Sequence, residues 1–382
     1  MTKKEENILL VSNYPSDTGY AWWLMEHFWS VIAKQFSQVG SKTFLAYPKI
    51  TQLSETIIAS DMVTTELSIP WKTKTEKNKV IRFIKQNNIK NIYFTDQQFF
   101  SLQFLSLRLN GVKRIVIHDH TPGDRPNITG IKGFLKVIKH TLPFFNADAV
   151  LCVSELMRQR NIGNSRFPRS KCLTVQNGIN PVFCNNNPKK IIYDELNLSN
   201  DTITIITSGR AHPYKRFDFI IDCAKQVIEQ ELSLDIVFLL VGDGPSFEEL
   251  KEKINQYGLN KQVLLLGFRS DIRELLCASD IAMHAALGEG FSLSITEYMS
   301  AGLPVLVPDI PSVKQAINHD FNGYIYPVNN SDRASELILK LASNGPLRTE
   351  MGATAKNDAN SKYTLDLCTG EFIDAIKQCY FR

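Results

Sequence analysis

The chain has 382 residues, enough for two domains, and its 43% hydrophobic and 21% charged residues are typical of a globular protein. No run of uncharged apolar residues approaches the roughly 18 that a membrane-spanning helix needs, and the opening MTKKEENILLVS predicts a strand rather than a secretory signal. The formal net charge of +4 combines a basic first half, +11 over residues 1–180, with an acidic remainder of −7.

The first half of the chain alternates unbroken apolar runs with helical patterns. Unbroken runs are typical of parallel strands that are covered on both faces. The predicted strands lie at 8–12, 43–47, 91–95, 114–118, 149–154 and 172–176, and predicted helices include 22–36, 77–88 and 99–109. This alternation predicts a Rossmann-like βαβ domain.

An Asn- and Pro-rich stretch at 177–200 predicts a linker or the start of a second domain. The alternation then resumes, with strands at 203–209, 236–244, 263–268, 281–286 and 304–309 and helices at 214–230, 246–257, 271–278 and 292–301. Residues 331–382 are predicted to be wholly helical. Two such domains predict ligand binding beyond the carboxyl ends of the strands.

The segment 288–297, GEGFSLSITE, follows a predicted strand and begins a helix. Gly290 would let the backbone approach a ligand closely. Glu289 and Glu297 offer one carboxylate for a sugar and one for a ribose diol. The alternative is an ordinary solvated helix start with two glutamates. A diphosphate cradle is predicted from the amides of Phe291, Ser292 and Leu293.

A second motif, SGRAHPYKR at 208–216, follows the first strand of the second domain. Arg210 and Lys215 are predicted to clamp a pyrophosphate whose negative charge grows as it departs. The alternative is a basic pair on the surface.

Two more turns follow strands of the second domain. The GDG turn at 242–244 predicts tight-turn architecture, and lining of the donor pocket is the alternative. Farther on, the backbone of Phe268 and Arg269 could bracket a nucleobase, although an ordinary turn explains that pattern equally well.

Two candidates lie in the first domain. His118 ends a predicted strand, where it could bond a sugar hydroxyl or take part in proton transfer; the alternative is a structural histidine. Gly19, after the first strand, could allow close approach of a phosphate.

The basic first half favours an anionic partner, such as a membrane surface, a phosphorylated lipid or an acidic polymer. A solvated lysine-rich surface is the alternative, and nucleic acid is not expected because no nucleic-acid-binding motif is present. In the segment 130–145, Lys132, Lys136 and Lys139 share one predicted helix face. Packing of this helix on the sheet is favoured over a membrane-surface helix.

Together these motifs resemble the retaining family 4 glycosyltransferases of GT-B fold, over nearly the whole chain and most densely at 203–327. The block from Glu289 to Glu297 resembles the two-glutamate motif of the family, and Arg210 and Lys215 match its phosphate-binding pair. Asn-Gly turns at 177–178 and 322–323 also match. Where many members have paired glycines in the first loop, this chain has Thr18-Gly19.

The resemblance implies an α/β GT-B fold in which two Rossmann-like βαβ domains face each other across a cleft. Residues 1–182 would bind the acceptor, residues 183–363 the nucleotide-sugar donor, and a helix within 364–382 would pack back on the N-terminal domain. It implies a UDP- or GDP-sugar donor, retention of anomeric configuration and neither metal nor cofactor. Glu289 and His118 would lie near the donor sugar and Glu297 on the ribose.

The expected activity is sugar transfer to a glycan, a lipid-linked molecule or a cell-envelope polymer. The alternatives are an inactive partner subunit of a glycosyltransferase and a sugar-nucleotide epimerase. Seven cysteines without a CxxC pair predict reduced thiols and no zinc site, as in a cytoplasmic protein. Within the cytoplasm, a peripheral position at the inner face of the membrane is compatible with a lipid-linked acceptor.

Overall fold

The protein is described from a computed structural model covering residues 6–18, 22–123, 126, 128–184 and 187–381. The chain forms two compact units, one of residues 1–176 with 368–382 and one of residues 177–367. Each unit is built on a parallel sheet, as the unbroken apolar runs predicted.

The first unit contains a seven-stranded sheet with the order β3-β2-β1-β4-β5-β6-β7. Its strands are β1 (Asn7–Val11), β2 (Thr43–Tyr47), β3 (Val63–Glu66), β4 (Ile89–Thr95), β5 (Arg114–Asp119), β6 (Ala149–Cys152) and β7 (Cys172–Thr174). Its helices are α1 (Trp22–Ser37), α2 (Glu55–Ile58), α3 (Lys74–Gln86), α4 (Leu102–Leu109), α5 (Gly130–Thr141) and α6 (Glu155–Gly163). Strand β3 was missed because its sequence VTTE is polar and only partly buried at the sheet edge.

The second unit contains a six-stranded sheet with the order β10-β9-β8-β11-β12-β13. Its strands are β8 (Ile203–Ser208), β9 (Ile236–Val241), β10 (Val263–Gly267), β11 (Ile281–Met283), β12 (Val305–Pro308) and β13 (Gly323–Tyr326). Its helices are α7 (Pro188–Leu196), α8 (Phe217–Gln230), α9 (Phe247–Tyr257), α10 (Ile272–Ala278), α11 (Leu293–Ala301), α12 (Ser331–Ala342) and α13 (Gly345–Lys362).

The last helix, α14 (Leu365–Tyr380), returns to the first unit, as expected. The ring of Phe372 lies 4.5 Å from the ring of Phe28 on α1. The hydroxyl of Tyr380 donates a hydrogen bond to the Ile92 carbonyl of β4 at 2.9 Å. Aromatic packing and this hydrogen bond hold the helix against the first unit.

Helix α5 differs from the expectation that it packs on the sheet with its lysines outside. Five of its large apolar side chains are exposed, and only Gly133 and His140 are buried. A Cβ at Gly133 would lie 2.5 Å from the Ile128 carbonyl oxygen, so glycine lets the backbone just before the helix pack against its first turn.

The expectation that all cysteines are reduced is wrong. Cys184 and Cys277 form a disulfide within the second unit, with their Cα atoms 5.4 Å apart. The expectation rested on local spacing, which carries no information about two cysteines that lie 93 residues apart in sequence. Over the described part of the chain, no helix is both long enough and apolar enough to cross a membrane.

Candidate functional site

The candidate site lies in the second unit, where two neighbouring strands end. Strands β8 and β11 pair in parallel, with Ile205 opposite Ile281. Their carboxyl ends therefore lie side by side, and the loops at 209–216 and 284–292 leave the same edge of the sheet. These are the two loops that carry the predicted donor-binding motifs.

Three titratable side chains from these loops meet, with Lys215 and His284 both contacting one carboxylate oxygen of Glu289. Lys215 Nζ lies 2.6 Å from Glu289 Oε1, and His284 Nε2 lies 3.2 Å from the same oxygen. The side chains of Lys215, Glu289 and His284 are only 11%, 14% and 2% exposed. The structure thus brings together two residues that the sequence assigned to different parts of the donor.

Electrostatics keeps this pair charged despite its burial. Burial raises the pKa of Glu289, but the charge of Lys215 and the hydrogen bond from His284 outweigh burial and lower that pKa to about 2. Burial likewise lowers the pKa of Lys215, but Glu289 outweighs it and the lysine pKa lies above its usual value. Burial holds the pKa of His284 below its usual value. At neutral pH the site therefore holds an ion pair and an uncharged imidazole.

Sequence reasoning missed His284. It is the first residue after β11, and its carbonyl accepts a hydrogen bond from the Tyr326 hydroxyl at 3.1 Å. Its position at a strand end, five residues before Glu289, was the available signal.

Helix α11 begins at the predicted position. The side chain of Ser292 caps the helix by accepting from the Ile295 amide, and Leu293 is the first helical residue. Gly302, with a φ of 89°, ends the helix in the left-handed conformation. Of the two predicted glutamates, Glu297 is a half-buried residue within α11, and Glu289 lies three residues before the Ser292 cap.

Tyr298, a second residue that sequence reasoning missed, ties α11 to the end of β8. The Ser208 amide donates to the Tyr298 hydroxyl at 2.6 Å, and that hydroxyl donates to the Ser208 carbonyl at 3.1 Å. Tyr298 is completely buried. Its hydroxyl therefore positions the helix start relative to the loop that carries Lys215.

The GDG turn has the structural role that its sequence favoured. Gly242 has a φ of 140°, and a Cβ there would lie 1.7 Å from the Gly209 carbonyl oxygen. A Cβ at Gly244 would lie 2.4 Å from the Ala211 carbonyl oxygen. These glycines allow the turn after β9 to pack directly on the loop after β8.

The other predicted donor-binding residues occupy different environments. Arg210 and Phe268 are exposed. The guanidinium of Arg269 is held by Glu195 and Asp271, each at 2.5 Å, so only its backbone is left for the expected contact with a base. Phe291 is buried, with its ring 5.2 Å from that of Tyr363. Its backbone amide, rather than its side chain, is the group predicted to bind the diphosphate.

Of the two first-unit candidates, the structure describes His118. His118 has no exposed surface, and its Nδ1 lies 2.6 Å from the Tyr93 hydroxyl. Burial holds the pKa of His118 well below its usual value. The place of His118 beside a donor sugar stays a prediction. Gly19 lies outside the described residues.

Comparison with known proteins gives the family. The model described as "Glycosyl transferases group 1" matches residues 188–358, and "Glycosyltransferase Family 4" matches residues 62–183. The chain is 28% identical over 241 residues to the Escherichia coli UDP-Gal:alpha-D-GlcNAc-diphosphoundecaprenol alpha-1,3-galactosyltransferase, covering 62% of this chain and 58% of that protein. The match thus spans little more than half the length of this curated relative.

Solved structures agree in fold. A glycosyltransferase from Rickettsia africae superposes with a TM-score of 0.77 at 16% identity, covering 98% of this chain and 99% of the other. Anabaena HepE in complex with UDP superposes with a TM-score of 0.74 at 18% identity, covering 97% and 100%. With two parallel-sheet domains and these matches, the chain belongs to the family 4-type glycosyltransferases and has the GT-B fold.

Proposed function

We propose that the protein is a retaining glycosyltransferase that moves a sugar from a UDP- or GDP-sugar to a glycan or lipid-linked acceptor. The observation that carries the proposal is the buried Lys215–Glu289 ion pair at the carboxyl edge of the second sheet. An ion pair costs desolvation energy when buried, so its occurrence beside a capped helix start favours a functional site over a structural one.

The donor is proposed from the chemistry of the two loops. Lys215 would neutralise a diphosphate as it departs, with Arg210 as a second cation and the amides of α11 as further donors. These groups would supply the positive charge that a metal ion supplies elsewhere, so the proposed transfer needs no metal or cofactor. Glu289 would lie beside the donor sugar, and Glu297 would accept hydrogen bonds from the ribose hydroxyls.

The comparisons support this choice of substrates. HepE was solved with UDP, and the name of the E. coli relative gives UDP-Gal as donor and a diphosphoundecaprenol-linked sugar as acceptor. For this chain we propose UDP as the first nucleotide to test and a lipid-linked or cell-envelope acceptor. Such an acceptor fits the expected peripheral position at the inner face of the membrane.

The test is turnover with purified protein and a panel of UDP- and GDP-sugars. Release of UDP or GDP, together with NMR of the product showing the anomeric configuration of the donor, is the expected result. Conversion of the donor into another nucleotide sugar, with no acceptor present and no release of UDP or GDP, would instead show an epimerase. A protein that binds no nucleotide in a thermal-shift screen would be a partner subunit, and the proposal would be wrong.

A further inference from the structure

Helix α5 presents its apolar face to solvent. Along a helix of 3.6 residues per turn, Gly133 and His140 lie on one side, and both are buried against the domain. On the opposite side, Ile131, Phe134 and Leu135 are 79%, 66% and 56% exposed. Ile138 and Leu142 extend this face at 41% each. We call this set of five side chains the apolar face of α5.

A helix packed on a sheet would bury these side chains, because each costs free energy when left in water. Scattered exposed apolar residues are ordinary on a protein surface, but five on one helix face form a contiguous patch. Phe144, three residues after the helix ends, is 61% exposed and continues the apolar surface. Such an arrangement indicates a surface that is covered in the working protein.

Charge identifies what covers it. Lys132, Lys136 and Lys139 lie on one flank of the apolar face, and the sequence from 127 to 147 contains no Asp or Glu. Lys132 and Lys139 are exposed, and the Nζ of Lys139 lies 4.5 Å from the centre of the Phe100 ring. A basic flank beside an apolar face matches a bilayer with phosphate head groups above acyl chains.

A pocket lined by both polar and apolar side chains opens beside the lysine flank. Its volume is about 540 Å³, and its lining includes the donors Lys136, Lys139, Gln97 and Gln98 together with the carboxylate of Asp96. If α5 lies in the head-group layer, these donors lie at the depth of lipid phosphates.

We infer that α5 is a membrane-docking helix, with its apolar face among the acyl chains of an anionic bilayer and its lysine flank on the lipid phosphates. This deepens the proposed function, since a lipid-linked acceptor would be met at the surface where the helix docks. The large positive charge of the first half of the chain adds long-range attraction to the same bilayer.

The experiment measures sedimentation of the full chain with vesicles of phosphatidylcholine, alone or with phosphatidylglycerol added. We expect binding to the anionic vesicles that weakens as salt rises. The double variant Ile131→Ser/Phe134→Ser should lower the vesicle partition coefficient at least ~10-fold. Its matched control is Leu102→Ser/Leu109→Ser, which changes two similarly exposed residues, 73% and 77%, on α4 and should bind like the unchanged protein.

The role of the lysine flank is tested in the same assay. Lys132→Gln/Lys139→Gln should weaken partitioning on the order of 30-fold, since each lysine near an anionic surface is worth ~1 kcal/mol. Lys77→Gln/Lys85→Gln removes the same charge from exposed positions on α3 and should have a much smaller effect.

Three outcomes would overturn the inference. These are equal binding to neutral and anionic vesicles, equal losses in the α5 variants and their controls, and a dimer in sedimentation velocity that Ile131→Ser/Phe134→Ser dissolves. Calorimetric binding of UDP is measured on every variant. In the unchanged protein, UDP binding without vesicle binding would refute the docking helix alone, whereas absence of UDP binding would refute the proposed donor site.

Discussion

Lys215 Nζ and Glu289 Oε1 lie 2.6 Å apart at the carboxyl edge of the second sheet, although 74 residues separate them in sequence. Each arrives on a loop that follows a buried strand, and those two strands are neighbours. His284 Nε2 donates to the same carboxylate oxygen at 3.2 Å, and the histidine side chain is only 2% exposed. The pairing of adjacent parallel strands therefore creates the charged centre of the candidate site.

Replacing Glu289 tests the importance of this centre for turnover. We expect Glu289→Gln to lower kcat/KM at least ~100-fold, because the amide keeps the shape but loses the charge that faces Lys215. Steady-state kinetics with the donor found in the panel is the measurement. Glu229→Gln is the control, since Glu229 pairs with Lys225 only at the surface, at 3.8 Å, and should retain turnover. Near-normal kcat/KM in Glu289→Gln would remove this residue from the chemistry.

The depressed pKa of Glu289 predicts a pH dependence of stability. Because the folded-state pKa is about 2 and the ordinary value is 4.5, the ionised carboxylate stabilises the fold above pH 4.5. That contribution is lost as pH falls from 4.5 towards 2. The difference in free energy of unfolding between the unchanged protein and Glu289→Gln should therefore shrink over this window, as measured by urea unfolding at several pH values. A difference that stays constant from pH 6 to pH 2.5 would contradict the assignment.

Removing the Tyr298 hydroxyl should loosen the start of α11. Tyr298→Phe leaves the buried Ser208 amide without its 2.6 Å partner, which is expected to cost about 1–3 kcal/mol of stability. Tyr257→Phe is a matched control, because its hydroxyl bonds only the part-buried Asp222 at 3.0 Å. The free energy of unfolding of both variants is measured by chemical denaturation. Equal decreases would show that the Tyr298–Ser208 hydrogen bond stabilises the fold no more than the partly exposed Tyr257 bond does.

The turn at Gly242 should tolerate no side chain. Gly242→Ala places a Cβ 1.7 Å from the Gly209 carbonyl oxygen, so the loop that carries Arg210 and Lys215 must move. We expect a loss of at least ~3 kcal/mol of stability, beyond the ~1 kcal/mol of left-handed strain alone. Gly258→Ala isolates that strain, since Gly258 has a φ of 69° and no atom within 4 Å of a Cβ. Similar melting temperatures for the two variants would show that the contact is not tight.

Much of the fold follows from pattern, because parallel strands buried on both faces give unbroken apolar runs. What escaped prediction lacked that signature. Strand β3 is the polar sequence VTTE at a sheet edge, and α7 begins with Pro188 in a segment whose asparagines and prolines indicated a linker. Helix α5 was assigned correctly as a helix but with its apolar face on the wrong side, since periodicity gives the face and not its partner.

The part of the candidate site that could be predicted is the part that lies in sequence motifs directly after strands. Glu289 and Lys215 were found from their motifs, whereas His284 and Tyr298 were not. His284 follows a strand but belongs to no motif, and Tyr298 lies within a helix, where spacing does not give the partner of a hydroxyl. The burial of His118 could not be predicted either, because sequence does not give the direction in which a strand-end side chain points. The Cys184–Cys277 disulfide likewise depends on distant chain segments meeting.

Lys215 and the start of α11 are proposed to hold the diphosphate of a nucleotide. The decisive measurement is isothermal titration of UDP into the unchanged protein, Lys215→Ala and the surface control Lys225→Ala. We expect UDP to bind the unchanged protein and Lys225→Ala equally, and to bind Lys215→Ala at least ~10-fold more weakly, the scale of one lost charge-assisted contact. Equal UDP affinity in all three proteins would contradict this proposal.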